Sequence, residues 1–213
     1  MASMSRRTSL TLLGTFPLAG AAVAHGQHSA PPVPATAARE KIRARYFPNV
    51  TVITHEGRKV RFYDDLIRDK IVTINFMYAD CEGICPGITA NLAKVQKALG
   101  DRVGRDIFMY SLTLKPEHDT PEVLKEYADM HGVKPGWSLL TGDPADMELL
   151  RRKLGFVDPD PEIDKDKNEH IGNVRYGNEA LQLWASCPGL ASPKAIVSSI
   201  GFVDWPATKP GRR

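Results

Sequence analysis

Two cysteines four residues apart, Cys81 and Cys85, are the side chains best suited to chemistry in this sequence. They follow a β-branched and aromatic run, 71–78, and precede a run with apolar residues at three- and four-residue spacing, 88–99. The pair is therefore predicted to lie where a buried strand leads into a helix. If both residues are helical, this spacing puts the two sulfurs on one face. A helix N-terminus stabilises a thiolate, which makes the pair nucleophilic and able to bind metal.

Three interpretations of the cysteine pair stay open on these residues alone. Two thiolates are soft ligands that favour copper(I), and an imidazole is a suitable third donor. The pair could instead cycle between dithiol and disulfide, and these states exclude each other because a disulfide cannot bind the metal. A purely structural disulfide is the third interpretation, and it is disfavoured because so short a loop gives little entropic stabilisation.

The first residues are typical of an export signal. Arg6 and Arg7 precede an apolar run, 10–23, that ends in small residues. This pattern predicts a twin-arginine signal peptide over residues 1–24, with an uncleaved membrane anchor as the alternative. The expected location is the bacterial periplasm, an oxidising compartment in which cysteine pairs form disulfides or are kept reduced by a donor. Residues 25–45, rich in alanine, proline and histidine, predict a flexible linker, and 206–213 a C-terminal tail.

Residues 46–205 are predicted to form one domain in which strands and helices alternate. The order is a hairpin, two strand–helix units, a short strand with its helix, then a hairpin and a last helix. That order predicts an α/β fold with a thioredoxin-like central sheet flanked by helices, and with an added N-terminal hairpin. The late hairpin is expected to turn at Gly177 and Asn178, and residues 158–168 to form a surface loop.

Composition excludes one class of partner. The 213 residues carry a net charge of +3, with 42% hydrophobic and 25% charged residues, which is ordinary for a globular protein. No basic stripe with interleaved aromatic residues is present in the sequence. Nucleic acid is therefore not an expected partner.

Three segments carry a resemblance to a known family. Residues 78–86, Tyr-Ala-Asp-Cys-Glu-Gly-Ile-Cys-Pro, resemble the YxxCxxxCP signature of the Sco/SenC proteins. Residues 116–127 and 139–142 are similar to the second and third blocks of that family. The resemblance covers roughly residues 50–205 and implies a thioredoxin-like fold that binds copper through two cysteines and a distant histidine. The implied metal ligands are Cys81, Cys85 and His170.

The resemblance also implies a role. Its members deliver copper to, or reduce thiols at, the dinuclear copper centre of cytochrome c oxidase, and some act in redox sensing or general copper handling. The implied partner is the copper-binding subunit of the oxidase, or another copper or thiol client, with peripheral membrane association through that client. The alternative is a thiol–disulfide oxidoreductase in which Cys81 and Cys85 are the catalytic dithiol. Thioredoxins carry a proline before the late hairpin, and this chain has a histidine there instead, which favours metal binding. A purely structural binding module is a further alternative.

Four positions depart from the family pattern, and one of them is Glu169, where an aspartate commonly precedes the histidine. Lys115 stands where the family usually has an aspartate, Glu82 where a proline is common, and Ile171 where a small polar residue follows the histidine. These departures leave the implied ligands in place and alter the surface that a client would meet. Cys187 has no role in the implied site and is expected to be a partly buried free thiol. The histidines not expected to be strong ligands are His25, His28, His55, His118 and His131.

Overall fold

The computed structural model describes residues 35–166 and 172–204, and the described strands form one seven-stranded sheet. The strands are β1 (Thr51–Thr54), β2 (Lys59–Arg61), β3 (Ile71–Met77), β4 (Ile107–Thr113), β5 (Trp137–Gly142), β6 (Asn173–Asn178) and β7 (Leu183–Pro188). The helices are α1 (Ala35–Tyr46), α2 (Cys85–Leu99), α3 (Pro121–Met130), α4 (Pro144–Lys153), α5 (Pro161–Lys165) and α6 (Pro193–Val203), with a π-helical turn at Phe62–Ile67 and a 3₁₀ turn at Gly100–Arg102.

The sheet is parallel at its centre and antiparallel at both sides. Its order is β2-β1-β5-β4-β3-β6-β7, with β3, β4 and β5 parallel to one another. The predicted N-terminal hairpin, β1 and β2, joins the sheet antiparallel to β5. Every residue of β3 is buried, as predicted for its β-branched and aromatic run, because helices cover both faces of a central parallel strand. Because parallel strands end at the same edge, the loops after β3 and β4 are neighbours.

Helices α2 and α3 cover the same face of the sheet, and α6 packs against α2. The hydroxyls of Thr89 on α2 and Tyr127 on α3 lie 2.9 Å apart and form a buried hydrogen bond. On β3 the Phe76 ring packs on Phe156, which follows α4, with 4.9 Å between ring centroids. The predicted cap of α3 is present, because the Thr120 side chain accepts a hydrogen bond from the backbone of Val123. No helix of the described residues is both long enough and apolar enough to cross a membrane.

The linker prediction is wrong for residues 35–45, which belong to α1. Arg39 on this helix forms an ion pair with Glu179, and its Nε lies 2.9 Å from a carboxylate oxygen. Glu179 is only 1% exposed, and it also accepts hydrogen bonds from the Tyr63 hydroxyl at 2.7 Å and the Asp69 amide at 2.8 Å. A buried carboxylate requires such partners, so one tertiary ion pair fixes a helix whose own apolar content is low. Residues 25–34 lie outside the described residues.

Two predicted loop positions also need correction. The late hairpin turns over residues 179–182, not at Gly177 and Asn178, which belong to β6. Gly177 is needed within the strand because a Cβ there would lie 2.2 Å from the Trp184 ring. The expected surface loop at 158–168 contains helix α5. Asp164 on α5 accepts hydrogen bonds at 2.6 and 2.7 Å from the buried guanidinium of Arg151, which holds this short helix in place.

The buried carboxylate of Glu179 predicts a pH-dependent stability. Burial alone would raise its pKa, but the hydrogen bonds from Arg39, the Asp69 amide and the Tyr63 hydroxyl lower it below the ordinary glutamate value. A lowered folded-state pKa adds stability above the unfolded-state pKa of about 4.3, and that stability is lost as the pH falls through the folded-state value. Glu179→Gln should therefore cost about 2 kcal/mol of unfolding free energy at pH 7, and progressively less in acid.

Urea denaturation of both proteins, at neutral and at acid pH, measures this difference. The matched control is Glu56→Gln, because Glu56 forms an exposed ion pair with Arg58 at 3.2 Å. The control should change the unfolding free energy by less than about 1 kcal/mol. An equal and pH-independent loss in both variants would contradict the assignment of Glu179 as the anchor of α1.

Candidate metal centre

The two cysteines lie in and just after the loop that follows β3. The strand ends at Met77, and helix α2 begins at Cys85, so Cys81 belongs to the loop and the single-helical-face arrangement is wrong. The loop turns back on itself, with the Cys81 amide 3.4 Å from the carbonyl oxygen of Tyr78. Both side chains are buried, Cys81 at 6% exposure and Cys85 at 1%, and both are thiols that form no disulfide in the part of the chain that the structure describes.

The two thiols form a hydrogen bond with each other, and their surroundings shift their pKa values in opposite directions. Burial alone would raise the pKa of Cys81, but its sulfur accepts hydrogen bonds from the thiol and amide of Cys85, the Tyr78 hydroxyl and the Gly83 amide. The net effect lowers the pKa of Cys81 below that of an ordinary thiol. Burial and the hydrogen bond to Cys81 raise the pKa of Cys85. Cys81 is thus the thiol that ionises first, and Cys85 the one that retains its proton.

A buried carboxylate connects the cysteine loop to the neighbouring loop. Asp119 is 1% exposed. Its Oδ2 accepts a hydrogen bond of 3.2 Å from the Ala79 amide and another from the Thr113 hydroxyl at the end of β4. Burial raises the pKa of this carboxyl. Sequence reasoning missed the role of Asp119. The available signal was its place after β4, at the same sheet edge as the cysteines.

Lys115, where the family pattern has an aspartate, contacts the cysteine loop directly. Its Nζ lies 3.8 Å from the centre of the Tyr78 ring and 3.3 Å from a carboxylate oxygen of Asp80. The cation therefore lies against the aromatic ring whose hydroxyl donates to the Cys81 sulfur. Substitution at position 115 thus changes the charge beside the dithiol without removing a sulfur donor.

The chain that leads into β6 packs against the start of α2. A Cβ on Gly172 would lie 2.5 Å from Cδ1 of Ile84 and 3.1 Å from Cδ1 of Ile88, so a larger residue here would displace the Ile84 side chain. The Gly172 carbonyl accepts a hydrogen bond of 2.8 Å from the Gly189 amide. His170 lies outside the described residues, and among those described no group of three or more His, Cys, Asp or Glu side chains is arranged to hold a metal.

Cys187 and two of the described histidines, His55 and His131, contact neighbouring residues of the fold. Cys187 on β7 is partly buried and free, as predicted; burial raises the pKa of its thiol, although the Ser199 side chain hydrogen bonds to it. His55 accepts a hydrogen bond at Nδ1 from the Leu139 amide, 3.1 Å away. The His131 ring packs on that of Tyr127, with 4.1 Å between centroids. His25 and His28 lie outside the described residues.

Known proteins resemble this chain over most of its folded part. The profile of the SCO1/SenC family matches residues 39–201. A SCO1 protein homolog of Bacillus subtilis is 29% identical over 93 residues, which are 43% of this chain and 47% of the relative. A SCO2-like protein of Rickettsia typhi is 32% identical over 96 residues, 45% of this chain and 46% of the relative. The matches thus span about half the length of these relatives.

Solved structures match the fold. A SCO1/SenC family lipoprotein from Bacillus anthracis has a TM-score of 0.61 at 22% identity, covering 73% of this chain and 93% of that one. ScoI of Bradyrhizobium japonicum with copper bound has a TM-score of 0.58 at 20% identity, covering 72% and 96%. These similarities confirm the predicted α/β, thioredoxin-like fold. Because the family profile matches more than half of the sequence, in the segment that carries both cysteines, the chain belongs to the SCO1/SenC family.

Proposed function

We propose that this chain binds copper as cargo through the thiolates of Cys81 and Cys85 and the imidazole of His170. The observation that carries the proposal is the pair of adjacent, buried thiols, of which Cys81 has a lowered pKa. Relatives of similar fold support copper as the metal, because ScoI of Bradyrhizobium japonicum and of Arabidopsis thaliana are described with copper bound. Two sulfur donors and one imidazole suit copper(I) better than harder ions.

The dithiol is prepared for a metal that needs deprotonated ligands. Cys81 ionises readily, because the Gly83 and Cys85 amides and the Tyr78 hydroxyl donate to its sulfur. Cys85 has a raised pKa and keeps its proton in the metal-free protein, so metal binding releases a proton from this residue. Burial of both sulfurs excludes water from the donors, which protects a copper(I)–thiolate pair from exchange with solvent.

The backbone at Gly172, two residues after His170, supports His170 as the third donor. Gly172 packs on Ile84, the residue directly before Cys85. Two residues of extended chain span at most about 7 Å, so the Cα of His170 lies within that distance of Gly172. We therefore propose that the His170 imidazole is directed at the two sulfurs. His170 would supply a neutral nitrogen that completes the donor set without adding charge.

The proposed client is the dinuclear copper centre of cytochrome c oxidase, reached in the periplasm after twin-arginine export of the chain. One structural relative is described as a member of the Sco family of cytochrome c oxidase assembly proteins, which supports this client. The ion pair of Lys115 with Asp80 lies beside the dithiol and would be part of the surface that the client meets.

A second candidate function is thiol–disulfide exchange, and the unequal acidity of the two thiols favours it. The Cys81 thiolate would attack a client disulfide, releasing one client thiolate and forming a mixed disulfide. Cys85 would then lose its proton and attack Cys81, releasing the second client thiol and leaving a Cys81–Cys85 disulfide. The client disulfide gains two electrons and the dithiol loses two. This chemistry needs no contribution from His170.

Copper(I) competition titrations separate the two functions. The reduced protein should bind one equivalent of copper(I), and His170→Ala should weaken binding at least about tenfold, since one of three donors is lost. His118→Ala is the matched control and should bind as the wild type does. Unchanged affinity in His170→Ala would refute the third ligand. The reduction potential of the metal-free dithiol should be the same in both variants and the wild type.

Alkylation of the metal-free reduced protein tests the hydrogen bonds at Cys81. The rate of modification at Cys81, followed by mass spectrometry of its peptide, should rise at a lower pH than that at Cys187. Tyr78→Phe removes one donor to the sulfur and should move the Cys81 midpoint to higher pH. Tyr46→Phe, at an exposed side chain, is the control. A Cys81 midpoint that Tyr78→Phe leaves in place would contradict the role assigned to the Tyr78 hydroxyl.

A further inference from the structure

A cavity of about 520 Å³ lies at the end of the sheet opposite the cysteines. Its wall includes residues that precede the three parallel strands: Lys70 before β3, Arg105 before β4 and Gly136 before β5. The cysteine loop follows the other end of β3, and a strand of this length spans about 20 Å. The cavity is therefore separate from the dithiol, and neither the copper proposal nor the thiol-exchange alternative uses it.

The cavity carries more positive than negative charge. Three cationic side chains, those of Arg58, Lys70 and Arg105, line it together with one carboxylate, that of Asp65. The Lys70 ammonium is partly buried, lies 5.6 Å from the centre of the Phe108 ring and donates to the backbone carbonyl of Asp65. Burial lowers the pKa of Lys70, although Asp65 and Asp69 counter this effect. An anion in the cavity would compensate this charge directly.

The two arginines lie at the mouth and already have surface partners. Arg58 pairs with Glu56 at 3.2 Å, and Arg105 with Asp106 at 3.1 Å. The side chain of Arg58 is 66% exposed and that of Arg105 is 65% exposed, so water weakens both pairs. Both cations can turn toward a bound anion at small cost.

Tyr110 places a hydrogen-bond donor on the same cavity. Its side chain is 4% exposed, and its hydroxyl has no hydrogen-bond partner within residues 35–166 and 172–204. Because Tyr110 lines the cavity, this hydroxyl can donate a hydrogen bond to water or to a ligand that enters there. Burial raises the pKa of this phenol, which keeps its proton available for donation.

We propose that this cavity binds the phosphate group of an organic phosphate. The Tyr110 hydroxyl and the Lys70 ammonium donate to phosphate oxygens, and the arginines face them from the mouth. The cavity lining contains three cations and one carboxylate. This excess of positive charge favours a doubly charged phosphate over a ligand with a single carboxylate. The volume exceeds that of inorganic phosphate, and apolar walls accommodate an organic substituent. These walls are formed by Leu66, Val103, Phe108 and Pro135. A soluble phosphate ester and a phospholipid headgroup share this chemistry.

The test is a titration of the full, isotope-labelled chain with phenyl phosphate, followed by amide chemical shifts in NMR. The wild type should show saturable binding with shifts confined to the cavity, and weaker binding of inorganic phosphate. Tyr110→Phe keeps the ring and should weaken binding about tenfold, and Lys70→Met should weaken it by at least as much. Lys153→Met, an equal charge change at an exposed position on α4, should bind as the wild type does.

Vesicles distinguish the two sources of phosphate. Co-sedimentation with vesicles that contain phosphatidic acid, whose headgroup is a phosphate monoester, would assign the ligand as a lipid headgroup if it is lost in Tyr110→Phe and Lys70→Met and absent with phosphatidylcholine alone. Phenyl phosphate binding without such co-sedimentation would assign it as a soluble ester. Thermal unfolding verifies that each variant is folded. The absence of saturable phenyl phosphate binding, or equal affinity in the wild type and folded Tyr110→Phe, would overturn the proposal.

Discussion

The sulfur of Cys81 is buried, and it is held by donors that favour its negative charge. A charge in the protein interior is costly unless hydrogen bonds replace its water. Here the donors are the Tyr78 hydroxyl, the Gly83 amide, and the amide and thiol of Cys85. The backbone donors come from the cysteine loop and the first residue of α2. The acidity of the dithiol therefore depends on the exact path of the loop.

The loop path depends in turn on the sheet. Because β3 and β4 are parallel, their following loops emerge side by side, and Asp119 can join them through the Ala79 amide and the Thr113 hydroxyl. From the other side, Gly172 packs on Ile84 without a side chain between them. The site is thus built from segments far apart in sequence. The same principle anchors α1, where a buried carboxylate, Glu179, is satisfied by donors from three segments.

Local sequence patterns predicted the elements that are determined by residues close together in the sequence. The buried β-branched and aromatic run of β3 and the Thr120 cap of α3 are both present, and so is the placement of the cysteines between strand and helix. Helix α1 could not be predicted, because it is held by a contact between Arg39 and Glu179, 140 residues apart. The difference in acidity between the two thiols could not be predicted either, since it depends on amide orientations in the loop. His170 as a ligand stays a prediction.

The central claim is that one copper ion is held by two sulfurs and one histidine nitrogen. X-ray absorption spectroscopy of the reduced, copper(I)-loaded protein tests this directly, because it counts the sulfur and nitrogen neighbours of the metal. We expect two sulfur neighbours and one nitrogen neighbour, with the nitrogen signal lost in His170→Ala and both sulfurs retained. Copper bound by sulfur alone in the wild type, or an identical spectrum in the variant, would contradict it.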